Sequence, residues 1–242
     1  MWPAGAEITG PLPGQDWPWT AVGRVLIDGD GPCSGVLVAP RTVLTVGHCV
    51  AESGWQATPA DRLSFALETR AHAVAAVRLS PRSPVTPDGK IEDVRQDWAL
   101  LELAEPPSVA PVPYGGPAAA RRAFALGEPL VKTGWVPRAG LLRRVRDYVC
   151  RIQELAPEAT ALVYRCPGGA GAGRSGSALI QRAGQGFEVV AVQSAVAIRE
   201  SVEFGIAVAP PIQVAHGPVW RPSKPDPPPR RPAARTTARL RL

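Results

Sequence analysis

Three side chains far apart in this 242-residue chain have the types needed to break an amide bond: a hydroxyl, an imidazole and a carboxylate. Amide hydrolysis near neutral pH requires an activated nucleophile, a base of pKa about 7 to take its proton, and donors for the oxyanion. A buried carboxylate must also hold the base in its productive tautomer. Ser175 sits in Gly171-Ala172-Gly173-Arg174-Ser175-Gly176-Ser177-Ala178-Leu179. The glycines on either side let the backbone turn tightly, and side chains at Gly173 or Gly176 would crowd a substrate carbonyl. His48 follows Val43-Leu44-Thr45-Val46-Gly47, where a strand is expected to end at the histidine, and precedes Cys49. Asp97 leads into Trp98-Ala99-Leu100-Leu101-Glu102-Leu103, which places an acid at the mouth of an apolar core. Its rival Asp93 stands in the polar stretch IEDVRQ, which reads as facing solvent. A glycine-rich serine loop alone is more often a flexible turn, and an isolated histidine at a strand end is more often without a role. His72 and His216 are read that way.

Short strands are the elements that would carry these residues. AVGRVLI (21–27), SGVLVAP (34–40) and TVLTVGH (42–48) are rich in Val and Leu and separated by Gly, Pro and Asp, as in strand–turn–strand segments. Further candidates are LSFAL (63–67), HAVAAVRL (72–79), WALLEL (98–103), LLRRVRDYVCRI (141–152), ATALVYRC (159–166), SALIQR (177–182), FEVVAVQSAV (187–196) and GIAVA (205–209). With 24 glycines and 28 prolines, many short elements are favoured over long helices. Strands at this density, without alternating helical stretches, predict β-barrels or a sandwich. The segment 105–117, EPPSVAPVPYGGP, holds five prolines and reads as a connection between halves at about 7–104 and 118–216. No internal repeat is evident.

Composition narrows the function classes. The chain is 45% hydrophobic and 20% charged, as in ordinary globular proteins, and no apolar run approaches the ~18 residues of a membrane span. The net charge of +6 resides in the segment 217–242, which holds seven basic residues and one acidic. The rest balances to zero, so the folded part gives no electrostatic reason to expect a nucleic-acid partner. The segment 217–242, rich in proline and arginine, cannot bury enough surface to offset its ordering entropy and is expected to be disordered. Cys33 and Cys49 are 16 residues apart, as are Cys150 and Cys166, and neither pair has the Cys-x-x-Cys spacing of a zinc or redox site. Two sequence-local disulfides fit better, and they imply an oxidising compartment, secreted or periplasmic. The opening MWPAGAEITGPLPG has neither a basic n-region nor an apolar h-region and does not read as a signal peptide.

VLTVGHC, DWALLEL and GRSGSAL resemble the three signature blocks of the chymotrypsin-like (trypsin-like) serine peptidases, in that family's chain order of His, Asp and Ser. CSGVLVAP ahead of the histidine block resembles the family too, and Cys33 with Cys49 matches its disulfide beside the histidine. The resemblance runs from about Ile8 to Val214. It implies a peptidase domain over 7–216, built all-β as two perpendicular six-stranded antiparallel barrels with the site in the cleft between them. His48, Asp97 and Ser175 would be the catalytic triad, and Gly173 and Ser175 the oxyanion N–H donors. Ser194 would border the substrate strand, and a Cys150–Cys166 bridge would close a hairpin ahead of the nucleophile loop. The SGS serine motif resembles the bacterial branch related to glutamyl endopeptidases. The implied partner is a protein or peptide substrate, acted on by a monomer without cofactor or metal.

Three positions depart from the family pattern. Arg174 stands where trypsins carry an aspartate that pairs with a freshly cleaved N-terminus, so activation through that salt bridge is not expected. This is so although Ile8-Thr9-Gly10 resembles a mature trypsin-like start. Gly169 occupies the pocket-floor position of the trypsin aspartate, six residues before Ser175. Gln193 occupies the position of the glutamyl-endopeptidase histidine, where its amide could still donate to a polar side chain. Neither a basic nor an acidic preference follows. A catalytically silent, peptide-binding relative is the alternative function, marked as a rule by loss of a triad residue.

Overall fold

The computed structural model describes residues 17–68, 70–84, 92–138, 141–169, 171 and 175–214, with only the backbone at 137–138, 141–143 and 145–148. Residues 217–242, His216, Ile8, Gly173 and Arg174 lie outside the described residues.

Among the described residues, fourteen strands and one α-helix make up the regular structure. In the first half β1 (Val22–Ile27), β2 (Asp30–Ala39), β3 (Thr42–Thr45), β6 (Leu63–Leu67), β7 (Arg70–Leu79) and β8 (Ala99–Leu103) close into an antiparallel barrel. The pair β4 (Ala51–Glu52) and β5 (Gln56–Ala57) forms a small separate hairpin. In the second half β9 (Leu130–Arg138), β10 (Leu141–Leu155), β11 (Ala161–Arg165), β12 (Ala178–Ala183), β13 (Gly186–Arg199) and β14 (Val202–Val208) close into another. Closure leaves no unpaired sheet edge in either barrel. The expected all-β pair of six-stranded barrels is therefore the architecture, with one helix added.

That helix, α1 (Gly116–Leu126), lies between the barrels in sequence, where the proline-rich reading ran into the second half. Its run Ala118-Ala119-Ala120 favours helix, Pro117 fits the first turn where no N–H partner is lost, and Gly127 closes it with φ +62°. Ala119, Ala120 and Ala123 are buried in the core of the second barrel with Leu130, Leu179 and Val190. Strand β9 was also not anticipated. Its sequence LVKTGWVPR is interrupted by a lysine, a glycine and a proline, so no strand pattern stands out.

The barrels share a core. One apolar cluster contains Val25, Val36, Leu44 and Leu101 of the first barrel together with Val131, Ile180, Val192 and Val208 of the second. The segment joining them touches both: the Val112 N–H donates to Leu37 O at 2.9 Å, and the Val189 N–H donates to Pro113 O at 2.8 Å. Tyr114, buried in the same cluster, donates its hydroxyl to Pro210 O at 2.7 Å.

Candidate active site

His48 comes from the end of β3, but the strand stops at Thr45 and the histidine sits in a 3₁₀ turn, Gly47–Cys49. The sequence had put the strand end at the histidine itself. A Cys33–Cys49 disulfide ties this turn to β2, next to the imidazole. Asp97 follows another 3₁₀ turn, Val94–Gln96, whose N-cap is the rival acid Asp93. Asp93 accepts from the Arg95 N–H at 3.1 Å and forms an ion pair with the Arg95 guanidinium at 2.6 Å, so it serves the turn rather than the histidine.

Asp97 is only 2% exposed, whereas the His48 side chain is 42% exposed. Asp97 Oδ1 accepts the His48 backbone N–H at 2.8 Å, and Oδ2 lies 2.7 Å from His48 Nδ1. Ser194 from β13 donates its hydroxyl to the same Oδ2 at 2.5 Å. Burial pushes the Asp97 carboxyl up, but the His48 imidazole, the Ser194 hydroxyl and the His48 N–H together outweigh it and hold the group below its ordinary value. An ionised carboxylate can only accept, so Nδ1 must carry the proton it shares with Asp97. Nε2 is then left with its lone pair facing Ser175 Oγ, 2.9 Å away. This row of groups can draw a proton off the hydroxyl and hold the resulting imidazolium beside a fixed negative charge.

Ser175 is clamped from two sides. Its carbonyl accepts the Ser34 N–H at 2.8 Å, and the next N–H, of Gly176, donates to Gln193 O at 2.8 Å. At Gly176, φ is +77° and a Cβ would lie 1.9 Å from Ser34 O, so glycine is required by the protein's own backbone, not by a substrate carbonyl. Gly134 of β9 is required for a related reason, since a Cβ there would meet Ser177 Oγ at 2.0 Å. Of the two residues expected to bind an oxyanion, Ser175 is among the described residues and Gly173 falls outside them.

Gly169 and Gly171, ahead of Ser175, are held by polar side chains from three strands. Lys132 of β9 is fully buried and donates Nζ to Gly169 O at 3.0 Å, with its ammonium 6.0 Å from the Tyr164 ring centroid. Gln193 of β13 donates Nε2 to Gly171 O at 3.3 Å and accepts the Tyr164 hydroxyl at 2.6 Å. At 2% exposure its amide works inside the protein instead of standing open to a polar substrate group. Glu203 of β14 accepts the Gly171 N–H. A second disulfide, Cys150–Cys166, joins β10 to the residue after β11 and anchors the start of this segment. Ser194 contacts Asp97 and follows Gln193 on β13, the strand whose Gln193 O receives the Gly176 N–H.

Sequence reasoning missed Lys132 and Glu203. A charged residue inside an apolar stretch, LVKTGWV, was the available signal for the first. For Glu203 there was none, because only the fold brings β14 to Gly171.

A family model described as a trypsin-like peptidase domain matches residues 33–192. The chain belongs to the chymotrypsin-like (trypsin-like) serine peptidase family. A peptidase acts on proteins or peptides, and among the described residues no helix is long and apolar enough to cross a membrane.

Proposed function

We propose that the protein is a serine endopeptidase that cleaves peptide bonds through His48, Asp97 and Ser175. The observation that carries this is the imidazole of His48, with Nδ1 2.7 Å from Asp97 and Nε2 2.9 Å from Ser175 Oγ. Ser175 Oγ attacks the carbonyl carbon while its proton passes to Nε2, and the carbonyl π-electrons move to oxygen. The backbone N–H groups of Gly173 and Ser175 receive that oxyanion. The C–N bond then breaks, His48 protonates the departing amine, and an acyl-enzyme remains on Ser175. Water, deprotonated by His48, attacks the ester; the acyl C–Oγ bond then breaks, His48 returns the proton to Ser175 Oγ, and the acid is released.

Gly169 brings no carboxylate of its own to the pocket, so selectivity at that subsite rests on the groups around it, Glu203 among them. The two disulfides favour an oxidising compartment, secreted or periplasmic. The protein acts as a monomer.

A fluorophosphonate probe tests the reading directly. The wild type is expected to be labelled once, at Ser175, with labelling abolished in Ser175→Ala and turnover of a peptide substrate reduced by about 10⁶. A folded wild type that takes no label and cleaves nothing from a peptide library would instead support a silent, peptide-binding relative.

A further inference from the structure

Ser175 and Gly176 divide the cleft into two sides. On one, Gln193 O receives the Gly176 N–H, and Ser194 follows on the same strand. On the other, the Ser34 N–H donates to Ser175 O. If the acyl half of a substrate runs along β13, as the reading above has it, the leaving half must pass over the junction of β2 and β9 around Ser34.

That junction carries an aromatic ring and two cations. Ser34 Oγ accepts the Trp135 N–H at 2.8 Å, and Trp135 Nε1 donates to Val22 O at 3.3 Å, which fixes the half-buried indole. The strand registers add the rest, since Arg24 pairs with Ser34 across β1 and β2, and Arg144 pairs with Trp135 across β10 and β9. Both guanidinium groups lie over the indole, that of Arg24 at 5.8 Å and that of Arg144 at 5.1 Å from the ring centroid. Each is held there by the ring's negative face. Arg144 is further anchored to Trp19 O at 3.3 Å and to Glu68 at 3.3 Å, so part of its charge is already offset. Arg24 is half-buried, and among the described residues no carboxylate lies within ion-pairing distance of it. Arg24 thus keeps a cation with no carboxylate partner among the described residues, paired in register with Ser34, whose N–H holds Ser175 O.

We propose that Arg24, Trp135 and Arg144 form a subsite that selects an acidic residue on the leaving-group side of the scissile bond. The inference rests on the endopeptidase reading for its orientation. An aspartate or glutamate within the first three residues after the cleaved bond would pair with Arg24 while its stem lies on the indole. Arg24 is a specificity residue and takes no part in the bond-breaking steps.

The test uses internally quenched peptides that share one acyl half and carry Asp, Asn or Lys at each of those three positions. At one position the wild type is expected to favour Asp over Asn about tenfold in kcat/KM, with the ratio shrinking as salt rises. Arg24→Gln is expected to bring that ratio near one, and Arg24→Glu to shift preference toward Lys. Each ratio is read within a single variant, so a general loss of activity does not imitate the effect. Binding of leaving-half peptides to Ser175→Ala, Asp against Asn, gives the same comparison without turnover. Equal treatment of Asp and Asn at all three positions, or an Asp preference that survives both Arg24 variants, overturns the proposal. Absence of fluorophosphonate labelling would count against the peptidase reading alone, and the binding comparison would still decide the subsite.

Discussion

Asp97 is where the geometry makes the sharpest demand on a single residue. It is buried, negative, and accepts from three groups, two of them on His48. Asp97→Asn keeps the shape but offers Nδ1 an amide that can donate, which favours the wrong imidazole tautomer. Turnover is expected to fall on the order of 10⁴ with little change in KM, measured on a peptide substrate at neutral pH. The same carboxylate couples stability to acidity. Its value in the folded chain lies below the ordinary 3.8, so ionisation favours the folded state. This contribution is complete above the ordinary value and is lost as pH falls through the lowered one. Thermal melts of wild type and Asp97→Asn should therefore differ by a constant amount near neutrality and converge in acid below about pH 4. At this scale much was legible: the three residues whose side chains meet, His48, Asp97 and Ser175, could be singled out because each sits in a local pattern with a reason. Lys132 and Glu203 were not, because their roles come from strands that meet only after folding.

At the scale of elements, the disulfide between Cys33 and Cys49 links the strand that clamps Ser175 to the turn that carries His48. Removing it as Cys33→Ser with Cys49→Ser releases a loop of 16 residues, with an expected stability cost of about 3 kcal/mol by urea titration. Activity should fall further than the unfolded fraction explains, since a base with positional slack misses its nucleophile. Most strands could be read from runs of Val and Leu, and LSFAL coincides with β6 at both ends. Strand β9 could not, and the reason is physical. Its lysine supports the segment before the nucleophile and its glycine makes room for Ser177, so site requirements displaced the residues that would have announced a strand. Helix α1 hid for a different reason, being short and placed just after a proline-rich stretch that reads as connection.

For the molecule as a whole, Arg174 precedes Ser175 where trypsins carry an aspartate, so activation by a liberated amine is not expected. A version extended before Ile8 is expected to retain turnover and fluorophosphonate labelling equal to those of a chain beginning at Ile8. Loss of activity in a folded extended protein would show that the amine matters after all. The paired barrels were legible from strand density together with the order of the three signature blocks, but their joint core was not. Nothing in the residues of 105–117 announces that Val112 bonds to β2 while Pro113 bonds to β13. That double attachment has a mechanical consequence. A nick in the exposed stretch Ala104–Pro106 would sever the covalent path between the halves yet leave the downstream splice, and the apolar contacts around it, bridging them. Two fragments produced separately could thus reassemble into a working whole, whereas either one alone would expose a torn face and find no fold of its own.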